Sequence, residues 1–416
     1  MRRPTILFMN RVYPPVSGAT GRVLRDLAES FAREGWHVTV VSSGAEAGEE
    51  RKNGVRIIRV KGPERPIGIM AYMLIWLKMF IIAMRLKRRD VLVSMSDPPL
   101  VVVAGSIVSR FKKSRHINWC HDLYPEIMPA LGMKVPNALM DVFISLRRRA
   151  MKRCDNVIVN GRCMAKYLAV DDEGADNISM IPNWPDIELT DPERIVDGDE
   201  MCTPPDPKVS RPFDKLLKTD KKFRVLYAGN LGRAHPFETI LDAAEILQNK
   251  QSDIEIVFVG GGFRYDDLVA DRAKRTLDNI RLLPFQPASK LREIMESGDV
   301  HLVTLKDDAA GFMVPSKLYS GLAVARPCIL IGPLESETAK VIRDFEAGFV
   351  VSEGDGESLA AAILTFREDG DAWFSAHHGA MQAREVFTPK DSIDAWMERT
   401  WDVVKDDLER PIKKAA

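Results

Sequence analysis

The sequence predicts an α/β protein made of two Rossmann-like domains facing each other across a cleft. Three observations carry this expectation. Short apolar runs alternate with helical patterns through both halves of the 416 residues, which is the signature of βαβ units and parallel sheets. Several of these runs end in glycine-bearing turns that lead into a helix, among them AGNLGR and VGGG. A Pro-, Asp- and Glu-rich stretch with little periodicity, PDIELTDPERIVDGDEMCTPPDPKVSRP, separates the halves. The expected division is a first domain over 1–185, a linker or surface excursion over 186–222, and a second domain over 223–389. A last helix within 390–410 is expected to pack back on the first domain. In such sheets ligands bind outside the carboxyl ends of the strands.

Taken in order, residues 5–10 (TILFMN) read as a strand, followed by the loop VYPPVSGATG. From Arg22, VLRDLAESFAREG has helical spacing, with Gly35 as its stop. Strands are expected at 37–44 (HVTVVSSG), 55–60 (VRIIRV), 90–96 (DVLVSMS) and 116–122 (HINWCHD). A helix follows over roughly 138–154, then a strand at 156–161, a helix over 161–170 and a strand at 178–184. The second half repeats the grammar without repeating the residues. Strands are expected at 223–232, 254–262, 280–285, 300–305 and 327–332, and helices at 235–250, 358–369 and 392–410, with PIKKAA frayed at the end.

Composition narrows the class. Lys and Arg number 59 against 59 Asp and Glu, so the balance gives no general pull toward nucleic acid. Hydrophobic residues are 45% and charged residues 28%, which excludes wholesale disorder and collagen-like repeats. Cys120, Cys154, Cys163, Cys202 and Cys328 form no CxxC pair and are odd in number, which fits a reduced, cytoplasmic setting. The amino-terminal stretch has too short an apolar run for the h-region of a signal peptide and reads as the first strand.

Three loops carry the chemistry. In the first, Gly18 and Gly21 permit close backbone approach before a helix whose free N–H groups suit an anion such as a pyrophosphate. A tight structural turn is an equal reading there. In the second, Asn230, Gly232 and Arg233 place a cation beside a glycine turn, which suits a phosphate leaving group. The alternative is a solvated arginine on an ordinary turn. The turn Gly260-Gly261-Gly262 has only Arg264 nearby and ranks lower. The third is VPSKLYSG, where a helix is expected to start near Ser316 and where Lys317 and the free amides form an anion site. An exposed helix lysine is the plainer reading of Lys317.

The ordered series YPPVSGATGR, HDLYPE, IPNWPD, YAGNLGR, VPSKLYSGLAVARP and GPLESE resembles the family-four glycosyltransferases with the GT-B fold. The branch it resembles builds bacterial cell-surface polysaccharides, such as lipopolysaccharide or exopolysaccharide, and includes enzymes like L-fucosamine transferases. The resemblance implies transfer of a sugar from a nucleotide-sugar, a UDP-sugar above all, with retention of anomeric configuration and with no cofactor or metal. It implies that Gly18 and Gly21 approach the donor phosphates, that Asn230, Gly232 and Arg233 hold the pyrophosphate, and that Ser316, Lys317 and Ser320 form the donor-side helix start. His121 or Asp122 then lies near the transferred sugar; a partly buried histidine capping a turn is the alternative. Many members carry a pair of glutamates, the second on the nucleotide ribose. Here those positions are Phe312 and Ser320, neither of them acidic, and Glu337 is the candidate for the ribose contact.

The segment 67–84 approaches the length of a membrane span of roughly 20 residues. It is interrupted by Lys78 and flanked by Arg65, Arg85, Lys87, Arg88 and Arg89. A span would tear one sheet apart, so two readings stay open: a very apolar core helix, or a helix lying in the bilayer interface with its basic flank on lipid headgroups. The leading functional expectation is a glycosyltransferase peripheral to the inner face of the cell membrane. Its partners would be a nucleotide-sugar donor and a glycan or polyprenyl-diphosphate-linked acceptor. The rivals are a catalytically inactive sugar-nucleotide-binding or interaction protein of the same fold, and a two-domain epimerase.

Overall fold

The computed structural model describes residues 3–16, 18–64, 66–171, 177–190, 223–250 and 253–409. Most of the expected linker (191–222), Cys202, Ser17, Arg65 and the expected frayed end lie outside the described residues. The chain forms two compact units, one of 1–129, 134–182 and 390–416, the other of 130–133 and 183–389.

In the first unit the chain runs β1 (Thr5–Met9), α1 (Ala19–Arg33), β2 (His37–Gly44), β3 (Gly48–Lys52), β4 (Val55–Lys61), α2 (Gly68–Arg85), β5 (Val91–Ser94), α3 (Val101–Lys112), β6 (Arg115–Cys120), α4 (Asn137–Met151), β7 (Asn156–Val159), α5 (Arg162–Asp171) and β8 (Ile178–Met180). The strands lie in the order β3-β4-β2-β1-β5-β6-β7-β8. All pair in parallel except β3 with β4. The inner strands are apolar on both faces because helices cover both, as β1 shows with Ile6, Leu7, Phe8 and Met9 all buried.

Within the first unit, two elements escape the sequence expectations. β3 is GEERK, exposed throughout, and it closes a hairpin on β4 through Asn53 and Gly54, both at positive φ. Its Glu49 meets Arg56 at 2.7 Å and its Glu50 meets Arg59, so cross-strand ion pairs stand in for buried contacts. Helix α3 is buried on most sides, with Val101, Val102, Ala104, Val108 and three small residues inside. It therefore shows no polar stripe. Helix α1 begins at Ala19, three residues before the expected start, which moves Gly21 out of the loop and into the first turn.

The second unit runs β9 (Phe223–Asn230), α6 (Glu238–Asn249), β10 (Ile254–Gly261), α7 (Tyr265–Lys274), β11 (Ile280–Leu283), α8 (Leu291–Ser297), β12 (Val300–Thr304), α9 (Lys317–Ala323), β13 (Cys328–Ile331), α10 (Glu337–Asp344), β14 (Gly348–Val351), α11 (Gly356–Glu368) and α12 (Gly370–Val386). The strand order β11-β10-β9-β12-β13-β14 is all parallel. It is the doubly wound order whose direction of winding reverses between the first and fourth strands. That reversal falls between β9 and β12 here, and between β1 and β5 in the first unit. The core of the second unit packs α6, α11 and α12 on the sheet around Tyr227, Phe237, Phe258 and Trp373.

A last helix, α13 (Pro389–Glu409), belongs to the first unit from Lys390 onward. Its buried Trp396 lies 4.6 Å from the Trp119 ring of β6, Trp401 packs edge-on against Trp36, and Asp407 binds Arg115 at 2.7 Å. Truncating a buried aromatic of this kind costs about 3–5 kcal/mol, so this helix is an integral part of the first unit.

Candidate functional site

In the second unit the residues to watch stand where the winding reverses. β9 ends in Gly229-Asn230, and Gly229 sits at φ +124 with no side chain. The Lys317 stem fills the room, its Cε 3.3 Å from where a Gly229 Cβ would be. Its ammonium lies 5.1 Å from the Tyr227 ring centroid and 3.4 Å from His235 Nε2. His235 Nδ1 is 2.6 Å from the Thr304 carbonyl at the end of β12. A carbonyl only accepts, so Nδ1 carries the proton and donates, and Nε2 is left to accept from Lys317.

Burial, reinforced by the Lys317 charge, pushes His235 down to about 3, so its ring is neutral. Burial also pulls Lys317 down to about 7. No carboxylate pairs with Lys317 among the described residues, so this half-buried cation has no counter-ion. The arrangement is of the kind that suits an anion.

Arg233 is exposed. Its guanidinium stacks 3.6 Å from the Phe263 ring centroid, and its Nη1 lies 3.4 Å from the Leu131 carbonyl. Asn230 is exposed, and its carboxamide borders Gly232 and Gly262. Ser316 and Ser320 are half-buried at and just inside the start of α9. Glu337 opens α10 and is buried, with Ser336 capping the helix by accepting from Ala339 N at 3.2 Å.

The turn 260–262 is needed by its neighbours. A Cβ on Gly260, at φ +148, would sit 2.1 Å from the Gly229 carbonyl oxygen, and one on Gly262 2.5 Å from the Leu231 oxygen. Arg264, its one charge, pairs with Glu238 at 2.7 Å. Behind Pro236 a cavity of about 360 Å³ is lined by Glu238, Thr239, Arg264, Lys306 and Glu353, an even mix of charges.

In the first unit His121 and Asp122 follow β6 at the carboxyl edge. Ser96, from the loop after β5, ties them down: its Oγ accepts from His121 N at 2.7 Å and from Asp122 N at 3.1 Å. The His121 ring packs 4.6 Å from Trp119. Burial, helped by the Arg22 charge, lowers His121 to about 3. Its Nε2 is buried with no hydrogen-bond partner among the described residues. Burial, then the nearby Asp97 carboxylate, pushes half-buried Asp122 up to about 7. Asp97 itself is held by Arg11 at 2.8 Å.

Gly18 and Gly21 are spent on packing, since a Cβ there would meet Val12 Cγ1 at 2.9 and 2.7 Å. The structural reading thus accounts for both glycines. Gly18 is extended (φ 165), so it needs no left-handed freedom.

Sequence reasoning missed His235, Phe263 and the Arg11–Asp97 pair. The last joins residues 86 apart, a separation no local pattern reveals. His235 did stand next to a flagged turn, and its place directly before Pro236 at a strand-to-helix junction was the available signal. Among the described residues no group of three or more His, Cys, Asp or Glu side chains could hold a metal ion.

Two family models match. A glycosyl transferase 4-like domain covers residues 18–184, and a glycosyl transferases group 1 domain covers 222–369. The chain is 26% identical over 271 residues to the putative colanic acid biosynthesis glycosyl transferase WcaI of Escherichia coli K12, covering 64% of this chain and 63% of the relative. It is 23% identical over 280 residues to the probable glycosyltransferase WbjE of Pseudomonas aeruginosa, covering 67% and 66%. The chain thus spans just under two thirds of the length of each of these relatives. Its fold is similar to that of Anabaena Alr3699/HepE crystallised with UDP-glucose, with a TM-score of 0.69, 17% identity, and coverage of 96% of this chain and 99% of the other.

Proposed function

The chain belongs to the family-four glycosyltransferases of GT-B fold, and from that premise we propose that it moves a sugar from a nucleotide-sugar to a glycan or lipid-linked acceptor in cell-surface polysaccharide synthesis. The observation that carries this reading is Lys317, a half-buried cation without a counter-ion among the described residues, at the point in the second sheet where winding reverses. A diphosphate supplies the missing negative charge. Arg233, propped on Phe263, adds a second cation, so the reading needs no metal.

The donor in this reading is a UDP-sugar, supported by the UDP-glucose in the HepE crystal. Within the branch suggested by the ordered motifs, an L-fucosamine-type donor is the first to try. Transfer proceeds with retention. The bond from the sugar C1 to the phosphate oxygen breaks while that from C1 to the acceptor oxygen forms, and the acceptor proton passes to the departing phosphate. Positive charge on the leaving group is then the main catalytic demand. In the first unit, neutral His121, whose Nε2 has no hydrogen-bond partner among the described residues, is the group this reading offers to a sugar hydroxyl. The acceptor is a polyprenyl-diphosphate-linked sugar on the inner face of the membrane, and the protein is cytoplasmic and peripheral to that face.

The test is a screen of nucleotide-sugars for thermal stabilisation, followed by transfer of the hit to lipid-linked acceptors. A ligand at about 100 times its Kd stabilises by about 2.7 kcal/mol. For a unit of this size that is roughly 5–10 °C in Tm. Lys317→Ala is expected to fold, to lose that shift and to lose transfer. Full transfer by Lys317→Ala would remove the phosphate role and with it the core of the reading.

A further inference from the structure

Helix α2 connects β4 to β5 within one sheet, so it crosses the sheet face and cannot cross a bilayer, although its length and composition would suffice. Only Ile75, Met79 and Ala83, one stripe at i, i+4 and i+8, are buried; they pack with Leu7, Val41, Ile58 and Leu92. The opposite side carries Ile69, Met70, Met73, Leu74, Leu77 and Ile81, between 37% and 68% exposed. The core reading of the segment therefore accounts for one stripe and leaves the rest of an 18-residue helix dressed in large apolar side chains. Isolated surface leucines are ordinary, but a contiguous apolar face along a whole helix marks an interaction site.

The charge around this face has one sign. Residues 66–89 contain no Asp or Glu. At the end of the helix Arg85, Lys87 and Arg88 are exposed and have no ion-pair partner among the described residues. Arg89 differs: it is half-buried and reaches Thr39 Oγ1 at 3.4 Å. A second copy docked face to face would offer these cations no acidic partner from the same segment, because a two-fold interface pairs a patch with itself and residues 66–89 hold none. A surface of lipid tails beneath anionic headgroups satisfies both features at once.

We propose that the exposed face of α2, with Arg85, Lys87 and Arg88, is a docking surface for an anionic phospholipid bilayer. The helix lies in the plane of the interface, and its Ile75–Met79–Ala83 stripe stays in the protein core. This rests on observations separate from those at Lys317.

Flotation of the full chain with vesicles tests it, comparing phosphatidylcholine alone with phosphatidylcholine containing about one third phosphatidylglycerol. The wild type is expected to float with the mixed vesicles and to be released by high salt. The triple variant Arg85→Ser, Lys87→Ser, Arg88→Ser is expected to bind on the order of 100-fold more weakly, given the usual contribution of each basic residue near such a surface. The variant Met73→Ser, Leu74→Ser, Leu77→Ser is expected not to float. Both sets are solvent-facing, so both are expected to keep the wild-type Tm and its nucleotide-sugar-induced rise. That rise, measured without lipid, separates failure of docking from failure of the transferase reading. The proposal is overturned if wild type fails to float, or if it floats equally with both vesicles at low salt. It is also overturned if the apolar variant floats like wild type, or if wild type is a dimer in solution that the apolar variant dissolves, which would assign the face to a second copy.

Discussion

If Lys317 meets the donor diphosphate as proposed, donor binding is expected to be a proton-uptake reaction. In the free protein burial holds its ammonium at about 7, below its ordinary 10.5. His235, whose Nε2 lies 3.4 Å from the ammonium, is neutral because burial holds it at about 3. A bound diphosphate restores the charge. Raising the Lys317 pKa from about 7 to above 9 requires about 2.7 kcal/mol, which is within the roughly 1.5–3 kcal/mol of a hydrogen bond to a charged group.

The sign follows. Below pH 7 Lys317 is already an ammonium and affinity is flat. Above pH 7 the free protein must first gain a proton, so affinity falls by about 10-fold at pH 8 and about 100-fold at pH 9 relative to the acidic limit. Titration calorimetry in buffers of different ionisation heat is expected to report uptake of about 0.5 proton at pH 7 and about 0.9 at pH 8. Lys317→Met is expected to bind more weakly and to show neither effect. Constant affinity from pH 6 to pH 9, or the same slope in Lys317→Met, would refute the reasoning.

Further outcomes follow from other positions. Arg233→Met removes a cation that stands in solvent on Phe263, so transfer is expected to drop about 10- to 100-fold with Tm unchanged in a melting scan. Asp122 binds its proton more tightly folded than unfolded, being raised to about 7, so it weakens the fold as pH rises from about 4 through 7. Asp122→Asn is therefore expected to melt higher than wild type at pH 8, by a smaller margin at pH 5, and equally near pH 3, and calorimetric melts at the three pH values check it. Gly260→Ala forces a Cβ to 2.1 Å from the Gly229 oxygen at φ +148, and urea unfolding is expected to show a loss of more than about 3 kcal/mol. Glu337→Ala is expected to weaken nucleotide binding about tenfold if Glu337 meets the ribose; unchanged affinity in the same calorimetry removes that assignment.

What could be read in the sequence depended on how far each signal reaches along the chain. The strands were visible because a parallel sheet buried on both faces writes itself as apolar runs, as TILFM and VFVGG do. Helix α3 was invisible for the same reason: wrapped by protein, it lost the polar stripe that makes a helix periodic. The β3–β4 hairpin did carry a local signal, Asn53-Gly54, but its charged strand hid it. At the site, Lys317 and Arg233 were found because cations beside glycine turns are local patterns. Their supports were not: Lys317 lies against His235, 82 residues earlier, and Asp122 is raised by burial and then by Asp97, 25 residues before it. The glycines at 18 and 21 were visible as residues, but their partner, the Val12 side chain, could be found only in three dimensions.

The return of α13 to the first unit sets a timetable for biosynthesis. Trp119, which backs His121, is covered by Trp396, and before the last part of the first unit the ribosome must make residues 183–389. At about 5–20 residues per second that interval is about 10–40 s. Throughout it the nascent first unit lacks the helix that covers Trp119 of β6, whereas the second unit has all its residues as soon as 389 is made. The wait belongs to the unit that was begun first. A chain stalled before residue 390 therefore lacks the residue that covers Trp119.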